Sequence, residues 1–150
     1  MKHRAYWIVA GGLLIDQISK SWANHALSFI EPVKGIDSVL LFQLVHNYGA
    51  AYGVFQNQRG FLIVFSLFIL AILLGFRRFW VSSKWSNMGH AFLISGTVGN
   101  LIDRVCHGYV IDFIYIHIFP VFNIADVMID MGIICFILDI FVKKSESYVD

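Results

Sequence analysis

From Gly60 to Phe76 the chain reads GFLIVFSLFILAILLGF, without one charged side chain, and Arg77 and Arg78 end the run. Wound as a helix at about 1.5 Å per residue, such a stretch is just long enough for a hydrocarbon layer of roughly 30 Å. The whole chain shares the bias. Of its 150 residues 58% are hydrophobic and only 14% charged, against roughly 25% charged in soluble domains. Too few charges remain to cover a water-facing surface, so the sequence predicts an integral membrane protein. A formal net charge of +1 gives no electrostatic reason for a nucleic-acid partner. One domain over residues 1–150 is the expectation at this length.

Three further spans complete a four-helix plan, at about residues 5–23, 88–104 and 122–142, beside the one at 60–76. The first opens AYWIVAGGLLI, whose apolar part alone is too short, so its helix must carry Asp16 and Lys20 into the membrane region. Lys2 and Arg4 ahead of an apolar stretch also suit a signal peptide, but a charged pair follows in place of a small-residue cleavage site. The third span is rich in Gly, Ser and Thr, which suit close helix packing. Lys2 and Arg4, then Arg77, Arg78 and Lys84, then Lys143 and Lys144 flank one side; Lys34, Arg59 and Arg104 are all that the other side holds. Both termini therefore read as cytoplasmic. The outward segments, about 24–59 and 103–121, are the longer ones, and the first contains SVLLFQLV, strand-like in composition. The expected fold is an all-α membrane protein, a four-helix transmembrane bundle with a small extracytoplasmic β-containing segment.

An ionisable residue at membrane depth costs at least ~2.5–3.5 kcal/mol and is a functional candidate by default. Asp16 lies about 18 Å along a helix from Arg4, with Lys20 one turn further on the same face, and Asp126 lies about 26 Å from Lys143. Asp103 and Arg104 end the third span, and Asp112 follows in the segment that joins it to the fourth. Polar groups thus converge at the outer leaflet. Two carboxylates sharing one water and one proton can divide the roles of general base and general acid, because like charges at close range do not both ionise cheaply. The plainer alternative is structural: helix caps, an Asp16–Lys20 pair and an Asp103–Arg104 pair. Cys135, in IICFIL, reads as a small buried hydrophobe, and Cys106 has no activating partner nearby in sequence. His3, His25, His46, His90, His107 and His117 are scattered without metal-ligand spacing, so neither metal nor cofactor is expected.

Five short strings now stand in order. Asn47-Tyr48-Gly49-Ala50-Ala51 resembles the Asn-x-Gly-Ala-Ala motif of lipoprotein signal peptidases (signal peptidase II), and Gly99-Asn100-Leu101-Ile102-Asp103-Arg104 resembles their Gly-Asn-x-x-Asp-Arg. Val110-Ile111-Asp112-Phe113 is similar to Val-x-Asp-Phe, Phe122-Asn123-Ile124-Ala125-Asp126 to Phe-Asn-x-Ala-Asp, and Asp16-Gln17-x-x-Lys20 to the Asp-x-x-x-Lys of the first helix. The resemblance covers nearly the whole chain. It implies an aspartic endopeptidase of the bacterial cytoplasmic (inner) membrane that cleaves prolipoproteins just before their diacylglyceryl-modified cysteine. Asp112 and Asp126 would be the catalytic dyad. Asn47, Asn100, Arg104 and Asn123 would bind substrate, and Asp16, Lys20 and Asp103 would support the fold. Membrane lipid and globomycin-like peptide inhibitors are the other implied partners. Two departures stand out: Ser95-Gly96-Thr97 replaces the usual Gly-Gly-Ala, where hydroxyls bonding back into their own helix would alter packing, and Asp130 adds an acid one turn below Asp126. The alternatives are a proton-coupled transporter relaying through Asp16, Asp126 and Asp130, and a non-enzymatic assembly factor. A transporter predicts acids spread through the membrane depth and a repeat, neither of which the sequence has.

Overall fold

The computed structural model describes residues 2–36 and 39–146. Four long helices dominate: α1 (Lys2–Ala26), α2 (Arg59–Gly75), α4 (Lys84–Cys106) and α5 (Ile124–Glu146), with α3 (Arg77–Trp80) a single turn between α2 and α4. No described helix is long and apolar enough by itself to cross a membrane. The most apolar of them, α2, has only 17 residues, and α1, α4 and α5 interrupt their apolar stretches with charged and small polar residues. Their ends are set locally. Ser83 caps α4, accepting from the backbone of Ser86 while the Ser86 hydroxyl accepts from the backbone of Ser83, which satisfies two otherwise orphaned donors.

α4 packs against α1, α2 and α5. Its glycines make this possible. A Cβ on Gly96 would collide with the carbonyl oxygen of Ala125, and one on Gly89 would come within 2.8 Å of the Gly132 oxygen. α4 and α5 are therefore in backbone contact along a seam of small residues. Ser95, expected to bond back into its own helix, instead donates to Val9 O of α1 at 3.3 Å. The helices approach closely enough here for a hydroxyl to reach a neighbouring backbone.

The outward segments form a three-stranded antiparallel sheet in the order β1 (Val33–Ile36), β2 (Leu40–Asn47), β3 (Val110–Ile116). The expected strand SVLLFQLV, residues 38–45, is β2 displaced by two residues toward the C-terminus; Ser38, its first residue, lies outside the described residues. The segment expected only to join two helices is itself strand β3, in register with β2 through Val45↔Asp112 and Asn47↔Val110. Its β-branched and aromatic run VIDFIYI is the local cause. The sheet sits on the end of α1, where Ala23, Leu44, Ile111 and Phe113 form a buried cluster and Trp22 meets Phe42 and Phe113 edge-on. Between β2 and α2 the chain winds through left-handed backbone at Tyr52, Gly53, Phe55 and Asn57, strained for the non-glycine residues, the two aromatic ones above all.

Candidate active site

Side chains from five segments meet where α1, α4, the sheet and the start of α5 come together. Strand β3 supplies Asp112, the end of β2 supplies Asn47, and α4 supplies Asn100, Asp103 and Arg104. Asn123 immediately precedes α5, and it bonds Asp126 reciprocally. The Asn123 N–H donates to Asp126 Oδ2 at 3.2 Å, and Asp126 N–H donates to Asn123 Oδ1 at 3.0 Å. This is a capping box, so Asn123 stands at the helix entry and Asp126 in its first turn.

The two carboxylates receive amide donors on every oxygen. Asn123 Nδ2 donates to Asp112 Oδ1 at 2.6 Å, and Asn47 Nδ2 to Asp112 Oδ2 at 2.9 Å. Asn100 Nδ2 donates to Asp126 Oδ1 at 2.8 Å. Asn123 therefore touches both acids, one through its side chain and one through its backbone. Asp112 is 2% exposed. Its pKa is pushed up to about 7, first by burial and then by the charge of Asp126, against the opposing pull of the Asn47 and Asn123 amides and of Lys20.

Behind the pair lies a buried ion cluster. Lys20 Nζ contacts Asp16 Oδ2 and Asp103 Oδ2, each at 2.9 Å, and all three side chains are at most 2% exposed. Asp103 thus pairs with Lys20, where the structural reading of the sequence had paired it with Arg104. Its Oδ2 also accepts from Ile111 N at 3.1 Å, which pins β3 one residue before Asp112. Asp16 Oδ1 accepts from Ala125 N at 2.8 Å, one residue before Asp126. Gly99 permits that approach, since a Cβ there would stand 2.5 Å from Asp16 Oδ2. Gln17, quoted within a motif but given no role from sequence, donates to Asp16 Oδ2 at 3.1 Å and Asp103 Oδ1 at 3.2 Å.

A cavity of about 820 Å³ opens in front, lined by Asp112, Asp126, Asn47, Asn100 and Arg104 together with Tyr48, Tyr52, Phe119, Phe122 and Ile129. A smaller apolar one of about 330 Å³ meets it at Asn100, Arg104 and Asp126 and runs to Leu62, Phe65, Ile69 and Leu93. Arg104 faces both, and its Nη2 donates to Gly49 O at 3.1 Å, tying down the start of the strained loop. Arg59, which sequence reasoning used only for charge counting, holds the loop's other end by donating to the carbonyls of Arg104 and Val105. Asp130 also lines the large cavity and is exposed, without a hydrogen-bond or ion-pair partner among the described residues. Asp139, near the far end of α5, is 5% exposed and accepts from Ser83 Oγ and Lys143 Nζ.

Two carboxylates bridged by one residue and facing a largely apolar cavity are the arrangement that an acid–base pair of the aspartic-peptidase kind requires. Comparison with known proteins agrees. Residues 8–142 match the family described as Signal peptidase (SPase) II. Lipoprotein signal peptidases of Clostridium tetani and Microcystis aeruginosa are each 38% identical to the chain, the first over 95% of it and 94% of its own length, the second over 96% of both. A solved bacterial membrane enzyme superposes with a TM-score of 0.87 at 28% identity, covering 96% of this chain and 91% of its own. A second reaches 0.82, again at 28% identity and with 92% of each chain covered. The chain belongs to the signal peptidase II family. It is a membrane-localised protease, and the transporter alternative is set aside.

Proposed function

We propose that Asp112 and Asp126 are the catalytic pair and that they hydrolyse the peptide bond just before a diacylglyceryl-modified cysteine in a prolipoprotein. The observation that carries this reading is Asn123, which donates to both carboxylates at once from just behind the cavity that both of them line. Asp126, in the first turn of α5, stands where a helix terminus favours a negative charge, and it acts as the base. It takes a proton from water as that water attacks the carbonyl carbon. Asp112, whose burial keeps its proton to near neutrality, protonates the substrate oxygen; Asp126 then gives the water-derived proton to the leaving amine as the C–N bond breaks and a gem-diol hydroxyl returns a proton to Asp112. Asn47, Asn100, Arg104 and Asn123 hold peptide and ester groups. Asp16, Lys20 and Asp103 support them.

In this reading the four long helices cross the inner membrane as a bundle, spanning about residues 5–23, 60–76, 88–104 and 122–142. Large apolar side chains exposed on their outer faces support it: Trp7, Leu14, Val64, Phe68, Ile140 and Phe141. Isolated in water such a surface would aggregate; lipid accommodates it. Packing against neighbours satisfies the polar stretches that make single helices too polar to span alone. Both termini are cytoplasmic, and the site opens near the outer leaflet, where a transmembrane signal peptide enters sideways. Lipid solvates the acyl chains inside and outside the site equally well, so discrimination rests on the polar residues. A globomycin-like peptide would occupy the same cavity.

One comparison tests the substrate. A reporter prolipoprotein with its diacylglyceryl group should be cleaved in detergent far faster than the same sequence without it, and equal rates would refute lipid recognition. Orientation is checked in a Cys106→Ser background, because Cys106 is exposed. A cysteine at Lys34 should react with an impermeant thiol reagent in spheroplasts and one at Lys84 should not; the reverse pattern overturns the topology.

A further inference from the structure

Whether an asparagine side chain offers its oxygen or its nitrogen to a carboxylate depends on what holds the other end. Three asparagines face the two acids, and each is oriented from behind by a group that can only donate. Gly49 N–H holds Asn47 Oδ1 at 2.9 Å, and Asp126 N–H holds Asn123 Oδ1 at 3.0 Å. The third, Asn100, has its Oδ1 held by the Lys20 ammonium at 3.0 Å, with Asn123 Nδ2 adding a longer bond at 3.2 Å. Of the three orienting groups, the first two are backbone and beyond the reach of substitution. Lys20 is a side chain. It is fully buried, and its remaining bonds to Asp16 and Asp103 fix it in place.

We infer that Lys20 is a positioning residue for the hydrolytic reaction: it locks the Asn100 amide so that Nδ2 always faces Asp126. This rests on the dyad reading and adds to it, since support of the fold alone gives Lys20 no influence on Asp126. Without the ammonium only the longer Asn123 Nδ2 bond holds Oδ1, and Asn100 can turn over and present its oxygen to the Asp126 carboxylate. Asp126 then loses one of its two donors and meets a repelling dipole. A charge-assisted hydrogen bond of this kind corresponds to roughly 10–100-fold in rate.

The test is a double-mutant cycle on kcat and KM with the lipidated reporter. Lys20→Met should lower kcat by about 10–100-fold with KM little changed. In an Asn100→Ala background the same substitution should change kcat by less than about twofold, because the group it orients is gone. Lys20→Arg, again a donor that cannot accept, should recover most of the rate, whereas Lys20→Gln, which can accept, should not. Should Lys20→Met fold poorly with two carboxylates left unpaired, Lys20→Met/Asp103→Asn lightens the orphaned charge and enters the cycle in its place, against Asp103→Asn alone. Equal fold-losses in both backgrounds would show a merely structural role and overturn the inference. The dyad reading would survive that outcome so long as Asp112→Asn and Asp126→Asn were inactive.

Discussion

Asp16–Lys20 and Asp139–Lys143 are the same short pattern, a carboxylate four residues ahead of an ammonium on one helix face, and they lie against opposite ends of α4. At the first pair both side chains are buried, and a second acid, two asparagines and the capping box of α5 are linked to them. At the second, Lys143 is 49% exposed and Asp139 ties α5 to the capping serine of α4. One pair underlies a cavity and the other closes a helix junction. The difference is that Gly99 and Gly96 let α1 and α5 approach α4 near the first pair, so that its spare bonding capacity is turned inward. Spacing makes the ion pair; packing decides what it serves.

The largest expected effect breaks the site outright. Asp112→Asn and Asp126→Asn should each lower cleavage by at least about 10³-fold while the protein still folds, and substantial activity in either would remove the dyad. The two ion pairs come next. Asp16→Ala leaves the Lys20 cluster with one acid and Ala125 N without its acceptor, and should cost about 3–5 kcal/mol. Lys143→Met, at a half-exposed site, should cost roughly 1 kcal/mol or less and leave kcat intact. Similar shifts in thermal melting for both variants would erase the contrast.

A pH series sharpens it further. Asp112 binds its proton more tightly folded than unfolded, so its contribution to stability is fully present at low pH and is lost as pH rises from about 4 through about 7. Asp112→Asn should therefore flatten that decline in melting temperature. Activity should fall on the alkaline side as the shared proton leaves. Asn47→Leu removes a donor that favours the charged form, so it should move that limb to higher pH; a shift to lower pH would contradict the geometry. Smallest of all, Cys106→Ser, Cys135→Ser and added EDTA should leave cleavage unchanged, and an inactive, folded Cys106→Ser would revive a thiol mechanism.

How far this was legible in the sequence differs from residue to residue. The helices followed from apolar runs and their flanking charges, and β2 from its composition. β3 is the element the motif reading passes over, because VIDFIYI carries its strand signal in β-branched and aromatic composition and not in an apolar–polar alternation. Short motifs in order picked out nine candidate residues, and the structure gathers them into one network with Gln17. What no string could convey is partnership. Asp103 bonds Lys20 across 83 positions of chain, not its neighbour Arg104, because the α1–α4 contact places Lys20 closer. Asp139 likewise takes its partner Ser83 from the cap of another helix. Arg59 gave no signal beyond its charge.

The capping box at the head of α5 has a further consequence for how the protein comes into being. A chain emerging from the ribosome acquires Asp16, Lys20, Asn47, Asn100 and Asp112 well before Asn123 and Asp126. Until that last helix is made and docks along the glycine seam, Asp112 has no bridge and no partner acid, and the cavity lacks a wall. On the dyad reading a nascent copy is therefore inert, and its activity arrives all at once with α5.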